Sequence, residues 1–283
     1  MDLGLADRTA IVTGGSSGIG KAIALGLSRE GVHVAICARH TDALEAAAHE
    51  IETESGTEVL PVQADVTRIE DVERCVDATV ARFGKVDILV NNASNSTTGN
   101  FFQLTDEDWM NHLDVKLLGC IRFVRAVSPG MKERGWGRII NIGGGAARQS
   151  GNYGWKAGTI HAGIDNLSKR LSDELGPFGI TVNVVDPGGV WTEGRTMDAT
   201  HIGGTGGESR AQRRELQLQR NAERAGVSRD EMEQRVLSEI PIRRFIKAED
   251  SAHLIAFLVS ELASAITGQV VATDGGKPRG INY

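Results

Sequence analysis

The chain has 283 residues, of which 40% are hydrophobic and 24% are charged. These proportions are those of ordinary globular proteins, and they exclude disordered and fibrous classes. With 31 basic and 37 acidic residues the formal net charge is −6, which argues against nucleic acid and acidic membrane surfaces as partners.

Short β-branched runs alternate with amphipathic patterns through the first half of the chain. The runs TAIVT, VHVAIC, EVLPV, VDILV and RIINI predict strands, and the segments between them predict helices over 18–30, 41–54, 68–83 and 105–127. Parallel strands joined by crossover helices are the economical arrangement for this alternation. We therefore expect an α/β fold with a doubly wound parallel sheet of the Rossmann type, in a single domain that spans residues 1–283.

The alternation continues with a helix over 157–175 and a strand over 180–185, and it resumes with a helix over 248–260 and a strand over 269–273. Residues 193–239 interrupt it, first with clustered glycines and then with charged residues. A long insertion of this kind typically forms a binding surface or a lid, so we expect it to cover the substrate. Within it, SRAQRRELQLQRNAERAG favours a helix, and SRDE at Ser228 to Glu231 has the pattern of a capping box.

The cysteines indicate a reduced protein without a metal centre. Cys37, Cys75 and Cys120 form neither a CxxC pair nor metal-ligand spacing, so buried packing is their expected role. No other cluster of His, Asp and Glu has ligand spacing either. The N-terminus lacks a basic region followed by an apolar run, and no segment has the length of a membrane span. We expect a cytoplasmic protein with no metal and no membrane partner.

The glycine-rich run TGGSSGIG, at Thr13 to Gly20, follows the first predicted strand and opens the first predicted helix. Gly14, Gly18 and Gly20 are suited to a tight turn, to close approach of the backbone to a pyrophosphate, and to close packing of helix on sheet. Free backbone amides and the helix dipole then attract the anion. This context predicts a dinucleotide site, while a tight turn without any ligand is the alternative.

Arg39 determines which dinucleotide we expect. It ends the second strand, where proteins that bind NAD carry a carboxylate for the ribose hydroxyls. A guanidinium at this point pairs with a 2′-phosphate, so NADP(H) is preferred over NAD(H), with Ser17 or His40 as further contacts. The alternative is an exposed arginine that discriminates weakly between the two cofactors.

Further motifs, in the right order along nearly the whole chain, resemble the short-chain dehydrogenase/reductase family. They are ADV at Ala64, NNAS at Asn91, DPGGVWT at Asp186 and TGQVVATDGG at Thr267. The resemblance implies hydride transfer between nicotinamide and a carbonyl or alcohol carbon, in a homotetramer or homodimer. The cofactor contacts expected from the turn and the resemblance are Gly14, Ser16, Ser17, Gly18, Ile19, Gly20, Arg39, Asp65, Val66, Asn91, Ala93, Pro187, Gly188, Val190 and Thr192.

The catalytic residues of that family are a Tyr, a Lys, a Ser and an Asn, and this chain departs from all four. With GRIINIG and GITVNVV as anchors and no gap between them, the Ser, Tyr and Lys positions fall on Gly144, Ala157 and His161, and the Asn position falls on Lys116. A gapped register aligns Lys156 with the family Lys at the cost of a five-residue deletion. We prefer the ungapped register, and neither one restores the catalytic pair.

Three side chains near the vacated positions are candidate replacements: Lys116, His161 and Tyr153. Tyr153, Ala157 and His161 have the spacing of one helical face, and an imidazole exchanges protons near neutral pH. Each residue also has a structural explanation: a filled helix face for His161, a salt bridge for Lys116 and a lid position for Tyr153. Trp155 and Trp191 are expected to stack on a flat or hydrophobic ligand or to pack in the core.

Three functions fit these residues. The first is an NADP(H)-dependent oxidoreductase that acts on a carbonyl or secondary alcohol of a hydrophobic small molecule with a non-standard proton donor. The second is a non-redox enzyme on the same fold, for dehydration, isomerisation or C–C cleavage. The third is a catalytically silent NADP(H)-binding subunit. We prefer the first, because hydride transfer depends mainly on geometry and the proton can come from another donor.

Overall fold

Seven parallel strands form the central sheet of the computed structural model, which describes residues 2–95, 100–149, 154–191 and 210–277. In chain order the strands are β1 (Thr9–Thr13), β2 (His33–Ala38), β3 (Val59–Gln63), β4 (Ile88–Asn91), β5 (Gly137–Ile142), β6 (Ile180–Asp186), β7 (Val190–Trp191), β8 (Ile246–Lys247) and β9 (Val270–Ala272). The sheet order is β3-β2-β1-β4-β5-β6-β9, and β7 pairs with β8 separately. The predicted doubly wound parallel sheet is confirmed.

Helices cover both faces of this sheet. They are α1 (Gly18–Arg29), α2 (Thr41–Ser55), α3 (Ile69–Phe83), α4 (Asp106–Leu113), α5 (Gly119–Arg134), α6 (Trp155–Leu175), α7 (Arg210–Ala225), α8 (Arg229–Ser238) and α9 (Ala248–Leu258). One core lies beneath α1, α2 and α9, and the other lies beneath α3, α5 and the end of α6. Because helices cover both faces of the sheet, β1 and β5 are buried throughout.

Two local differences from the sequence prediction lie near the candidate site. The helix expected over 105–127 is two helices, joined by the π-helical turn Asp114–Leu118. The sixth helix begins at Trp155, two residues before the expected start. The short pair β7 and β8 has no periodicity in the sequence because each strand is only two residues long.

Other local predictions are reproduced by the fold. The three cysteines are unpaired and buried in packed surroundings. Ser228 caps α8, because its hydroxyl accepts a hydrogen bond from the amide of Glu231. The charged stretch forms α7, and α8 follows it, while residues 193–209 of the predicted insertion lie outside the described residues. In the part of the chain that is described, no helix is both long and apolar enough to span a bilayer.

Candidate active site

The glycine turn lies between β1 and α1 and is closely packed against the segment after β4. Gly14 has φ +67°, and a Cβ there would lie 2.9 Å from Asn92 Nδ2 and 3.0 Å from Ala93 Cα. A Cβ at Gly20 would lie 2.3 Å from the carbonyl oxygen of Gly14. These positions therefore require glycine for close approach, and Gly14 also for its left-handed backbone.

Asn92 holds the glycine turn in place through hydrogen bonds, and this role was not predicted from the sequence. Its side-chain amide donates to the carbonyl oxygens of Thr13 at 2.9 Å and Gly14 at 3.2 Å. In return, the backbone amides of Asn92 and Ala93 donate to the Thr13 hydroxyl, each at 2.9 Å. The second Asn of the NNAS motif is the signal that could have identified it.

The first turn of α1 is left open toward the cavity. Ser17 precedes the helix in an extended conformation, and its side chain does not cap the helix amides. Amides without a side-chain cap at a helix N-terminus, together with the helix dipole, bind phosphate groups. The turn therefore has the shape and the donors that a dinucleotide pyrophosphate requires.

A cavity of about 370 Å³ runs from this turn to the end of α4, the π-helical turn after it and α6. It brings together most of the predicted cofactor residues and two of the predicted catalytic ones. The predicted residues in its lining are Gly14, Ser16, Ser17, Gly18, Ile19, Gly20, Arg39, Asp65, Val66, Ala93, Pro187, Lys116 and His161. His40, the further contact suggested by the sequence, lines it as well.

Three predicted cofactor residues lie elsewhere. Asn91 is buried, and its amide donates to Asn141 Oδ1 at 2.9 Å, which ties β4 to β5. Val190 is buried in a small cluster with Ile246, because β7 pairs with β8. Gly188 lines a second cavity and not this one. Thr192 and Tyr153 lie outside the described residues.

The second cavity is open, and it lies on the other side of α6. It has a volume of about 760 Å³ and is lined by Arg148, Trp155, Asp186, Asp274 and Lys277, among others. Burial raises the pKa of Asp186 above its usual value. No predicted catalytic residue among those described faces this space.

Lys116 lies on the π-helical turn between α4 and α5. Its side chain is 4% exposed, and its ammonium group lies 3.5 Å from the carbonyl oxygen of Asn92, the residue that fastens the glycine turn. Burial disfavours the charged form and lowers the pKa of Lys116 to about 8. The group is therefore able to give up and regain a proton close to neutral pH.

His161 lies on α6 and faces Gly144. A Cβ at position 144 would lie 2.5 Å from His161 Nδ1 and 2.8 Å from Cε1, so the imidazole occupies the space that a side chain at 144 would need. Within the described residues Nδ1 is buried and has no well-aligned hydrogen bond. Burial, followed by the positive charge of Lys116, lowers the pKa of His161 to about 3, so the ring is neutral.

His112 is a second buried histidine that the sequence analysis did not single out. Its Nδ1 lies 3.0 Å from Asn95 Oδ1, while the amide of Asn95 donates to Asn111 Oδ1 at 2.8 Å. This arrangement assigns the proton to Nδ1 and leaves Nε2, buried and unpartnered among the described residues, as an acceptor. Its ring centroid lies 6.4 Å from that of His161. Its position four residues before Lys116 was the available signal.

Lys156, the alternative catalytic lysine of the gapped register, is held away from the cavity. It is 3% exposed, and its ammonium group donates to the carbonyl oxygen of Asp108 at 3.2 Å and lies 3.8 Å from Asp108 Oδ1. It does not line the cavity that contains Lys116 and His161. Its contacts instead join the start of α6 to α4.

Comparison with known proteins gives consistent results along the chain. The profile of the short chain dehydrogenase family matches residues 8–201, and a profile described as enoyl-(acyl carrier protein) reductase matches residues 219–277. The 3-oxoacyl-[acyl-carrier-protein] reductase FabG of Staphylococcus epidermidis is 32% identical, over 95% of this chain and 98% of its own length. The NADPH-dependent reductase BacG of Bacillus subtilis is 31% identical, over 98% of this chain and 100% of its own.

A solved structure extends this similarity to the fold. L-sorbose reductase of Gluconobacter frateurii, complexed with NADPH and L-sorbose, superposes with a TM-score of 0.85 and is 31% identical. The match covers 99% of this chain and 100% of the sorbose reductase chain. The similarity therefore includes the glycine turn, the cavity and the helices that carry Lys116 and His161.

Proposed function

The chain belongs to the short-chain dehydrogenase/reductase family and is an NAD(P)-dependent oxidoreductase, and we propose that it uses NADPH to reduce a carbonyl group of a hydrophobic small molecule. The observation that carries this proposal is one cavity lined by the phosphate turn and by two basic side chains, the buried Lys116 and the half-buried His161. The reverse oxidation of a secondary alcohol uses the same groups.

The choice of NADPH rests on the far end of the cavity. Arg39 is exposed there beside His40, and its carbonyl oxygen accepts a hydrogen bond from the Gln63 amide at 3.0 Å. A guanidinium in this place pairs with a 2′-phosphate through two parallel hydrogen bonds. BacG is named as NADPH-dependent, and the sorbose reductase structure contains NADPH. Both support the same cofactor here.

We assign the proton to Lys116 and the orientation of the substrate oxygen to His161. When bound, NADPH would supply a hydride to the carbonyl carbon, and the carbonyl oxygen would then need one proton. The Lys116 ammonium group provides that proton, because its lowered pKa of about 8 suits a general acid near neutral pH. The neutral His161 imidazole forms a hydrogen bond with the same oxygen. Lys116 then regains its proton from the solvent. Tyr153, a third candidate, lies outside the described residues.

Exposed aromatic side chains support a hydrophobic ligand. Phe102 is 92% exposed, and Phe101 packs edge-on against both Phe102 and Trp155, at centroid distances of 5.3 and 5.4 Å. Trp155 begins α6, the helix that carries His161, and it lines the second cavity and not the one that contains Lys116. Exposed aromatic side chains stack on flat or apolar ligands. We propose that the insertion over 193–239 covers the substrate.

The test of this function is a cofactor titration followed by turnover. NADPH is expected to quench the tryptophan fluorescence with a dissociation constant at least about tenfold lower than NADH, and Arg39→Ala is expected to remove most of that difference. Aromatic and alicyclic ketones are then added, and loss of the reduced nicotinamide absorbance is recorded. Ketone-dependent oxidation supports the proposal. Tight NADPH binding without oxidation by any carbonyl compound contradicts it and favours non-redox chemistry or a silent subunit.

Assembly is a separate proposal. The family membership supports a homodimer or homotetramer, with faces of α4, α5 and α6 at the interface. Met110 on α4 is 60% exposed in the single chain, as expected for a residue that a partner subunit covers. Sedimentation equilibrium gives the stoichiometry directly, and a monomer at micromolar concentration would contradict this proposal.

A further inference from the structure

We propose that the substrate carries a negatively charged oxygen, a carboxylate or an ionised phenol, which binds between Lys116, His112 and His161. We call these three side chains the basic cluster. The proposal rests on the proposed function, because it places the charged group of the substrate beside the carbonyl that is reduced. It goes further by assigning the charge of the substrate, which neither the fold nor the relatives specify.

The first argument is the position of the cluster. Lys116 and His112 are 4% and 3% exposed, and they extend from the α4 to α5 connection toward α6. His161 faces them from α6, with its ring centroid 6.4 Å from that of His112. Lys116 and His161 line the cavity directly. A ligand that enters the cavity therefore meets the buried ammonium group of Lys116 and the imidazole of His161.

The second argument is the lack of a compensating acid. Within the described residues no carboxylate forms an ion pair with Lys116. Its ammonium group donates a hydrogen bond to the Asn92 carbonyl oxygen at 3.5 Å. Asp108 is paired with Lys156, and Asp165 lies 3.8 Å from Arg148. The Cys120 thiol stays neutral, since burial raises its pKa to about 12. A buried ammonium group without an anion is costly, so an incoming oxyanion is strongly favoured.

The third argument is the pair of unsatisfied ring nitrogens. Nε2 of His112 is buried without a hydrogen-bond partner among the described residues, and Nδ1 of His161 is buried beside the backbone of Gly144 without a well-aligned bond. Buried polar atoms in folded proteins are nearly always partnered, so these two nitrogens are available to a ligand. An oxyanion favours protonated imidazoles, which then donate to it. Binding should therefore be accompanied by uptake of protons.

The charged groups of the cofactor do not explain the cluster. The pyrophosphate has its own donors at the open end of α1, and Arg39 is the partner for the 2′-phosphate. Arg39 follows β2, two strands along the sheet from β4, whereas Lys116 contacts Asn92, the residue that follows β4. The organic substrate is the remaining ligand that brings an anion to the basic cluster.

Binding of matched probes to the NADPH-loaded protein tests this inference without turnover. Benzoate and benzamide have nearly the same shape but differ in charge, and titration calorimetry in two buffers of different ionisation enthalpy reports proton uptake. We expect benzoate to bind at least about tenfold more tightly, with net proton uptake. A third probe, 4-nitrophenol, distinguishes the two sources of the oxyanion, because its absorption shows whether the bound form is the phenolate.

Variants locate the effect at the cluster. Lys116→Met should abolish the preference for benzoate, whereas Lys169→Met, a control at an exposed residue paired with Asp173, should leave it intact. Equal binding of benzoate and benzamide to the wild-type protein overturns the inference, and this comparison needs no variant. A preference that survives in Lys116→Met, checked to bind NADPH, overturns it as well. If the benzoate preference holds but no carbonyl compound is reduced, the proposed function fails and the binding site remains.

Discussion

The two ends of the central sheet differ in how their buried charged groups are paired. At the amino end, Asp87 is 1% exposed and accepts a hydrogen bond from the Thr9 amide at 3.2 Å. Lys85 lies 3.0 Å and Arg134 lies 3.7 Å from its carboxylate. The buried acid thus has cationic and hydrogen-bond partners on several sides.

A second set of charges at the same end is equally well paired. Glu261 accepts a hydrogen bond from the Trp136 indole at 2.5 Å and lies 3.4 Å from Arg8 and 3.3 Å from Arg138. Both guanidinium groups also stack on the Trp136 ring, with centroid distances of 3.7 and 4.3 Å. These contacts join β1, β5 and the segment after α9, and they hold the sheet together at its base.

The carboxyl end has basic groups that, among the described residues, have no carboxylate partner. They are Lys116 and His112, which are 4% and 3% exposed, and the half-buried His161. Ligands of doubly wound folds bind at this end of the sheet. Polar groups without a charge partner therefore lie at the end of the sheet where a ligand binds. Polar groups that form ion pairs lie at the opposite end, where they stabilise the fold.

The largest effect is expected from removing the charge at the carboxyl end. Lys116→Met should lower kcat/KM by about 100-fold or more, because a general acid contributes on that scale. The free energy of unfolding should not decrease, since an unpaired buried charge is replaced by an apolar side chain of similar length. Steady-state kinetics and urea unfolding of the same preparation measure both. An activity loss below about threefold would remove Lys116 from the mechanism.

The converse change at the amino end should affect stability alone. Asp87→Asn keeps the shape of the side chain but leaves Lys85 and Arg134 without their acid, and we expect a loss of about 2–3 kcal/mol in the free energy of unfolding. Affinity for NADPH should stay the same. Urea unfolding tests this, with Asp77→Asn at an exposed helix position as the control. Equal stability of the two variants would contradict the contrast between the ends.

The contact between Gly144 and His161 can be measured by a double-mutant cycle. Gly144→Ala should cost about 2 kcal/mol of stability, because its Cβ would lie 2.5 Å from the imidazole. In a His161→Ala background the same change should cost less than half as much, which gives a coupling of about 1 kcal/mol. Gly176→Ala, where a Cβ would have no neighbour within 4 Å, serves as the control. Additive costs would show that the imidazole does not fill this space.

The smallest expected effect is a pH dependence confined to the carboxyl end. The pKa of His112 is lowered to about 4 and that of His161 to about 3, from a usual 6.5. Below pH 6.5 these histidines therefore bind protons in the unfolded chain but not in the folded protein. The free energy of unfolding consequently decreases as the pH falls toward their folded-state pKa values. Each histidine should lower the free energy of unfolding by about 1 kcal/mol between pH 6.5 and 5.5.

The variant His161→Ala isolates this contribution. Asp165 acts in the opposite direction in the same window, because burial raises its pKa to about 6 and its proton uptake favours the folded state. Wild type should therefore lose about 1 kcal/mol more than His161→Ala between pH 6.5 and 5.5, as measured by urea unfolding. Parallel pH profiles for the two proteins would indicate that His161 is not held neutral in the fold.

Features that are local in the chain were predictable. The glycine turn with its flanking strand and helix, the alternation of buried runs with amphipathic helices, and the N-cap at Ser228 all depend on residues within one or two turns of each other. Arg39 was placed at the cavity by its position at the end of a strand, because parallel strands all end at the same edge. Most of the predicted cofactor residues reached the cavity for the same reason.

Features that join distant segments were not predictable. Asn92 bonds Thr13 across 79 positions of sequence, and His112 approaches His161 only because α4 packs against α6. The neighbouring Asn91 was assigned to the cofactor, but its side chain lies on the core face of β4, and no pattern in one strand distinguishes those faces when both are buried.

The amino-acid sequence was sufficient to predict the sheet, the phosphate turn and the end of the sheet where a ligand binds, because near neighbours in the chain set backbone conformation and strand direction. The basic cluster of Lys116, His112 and His161, which has no carboxylate partner among the described residues, depends on the tertiary packing. Burial and charge pairing depend on which helices meet across the cavity, and residues far apart in the chain determine that packing.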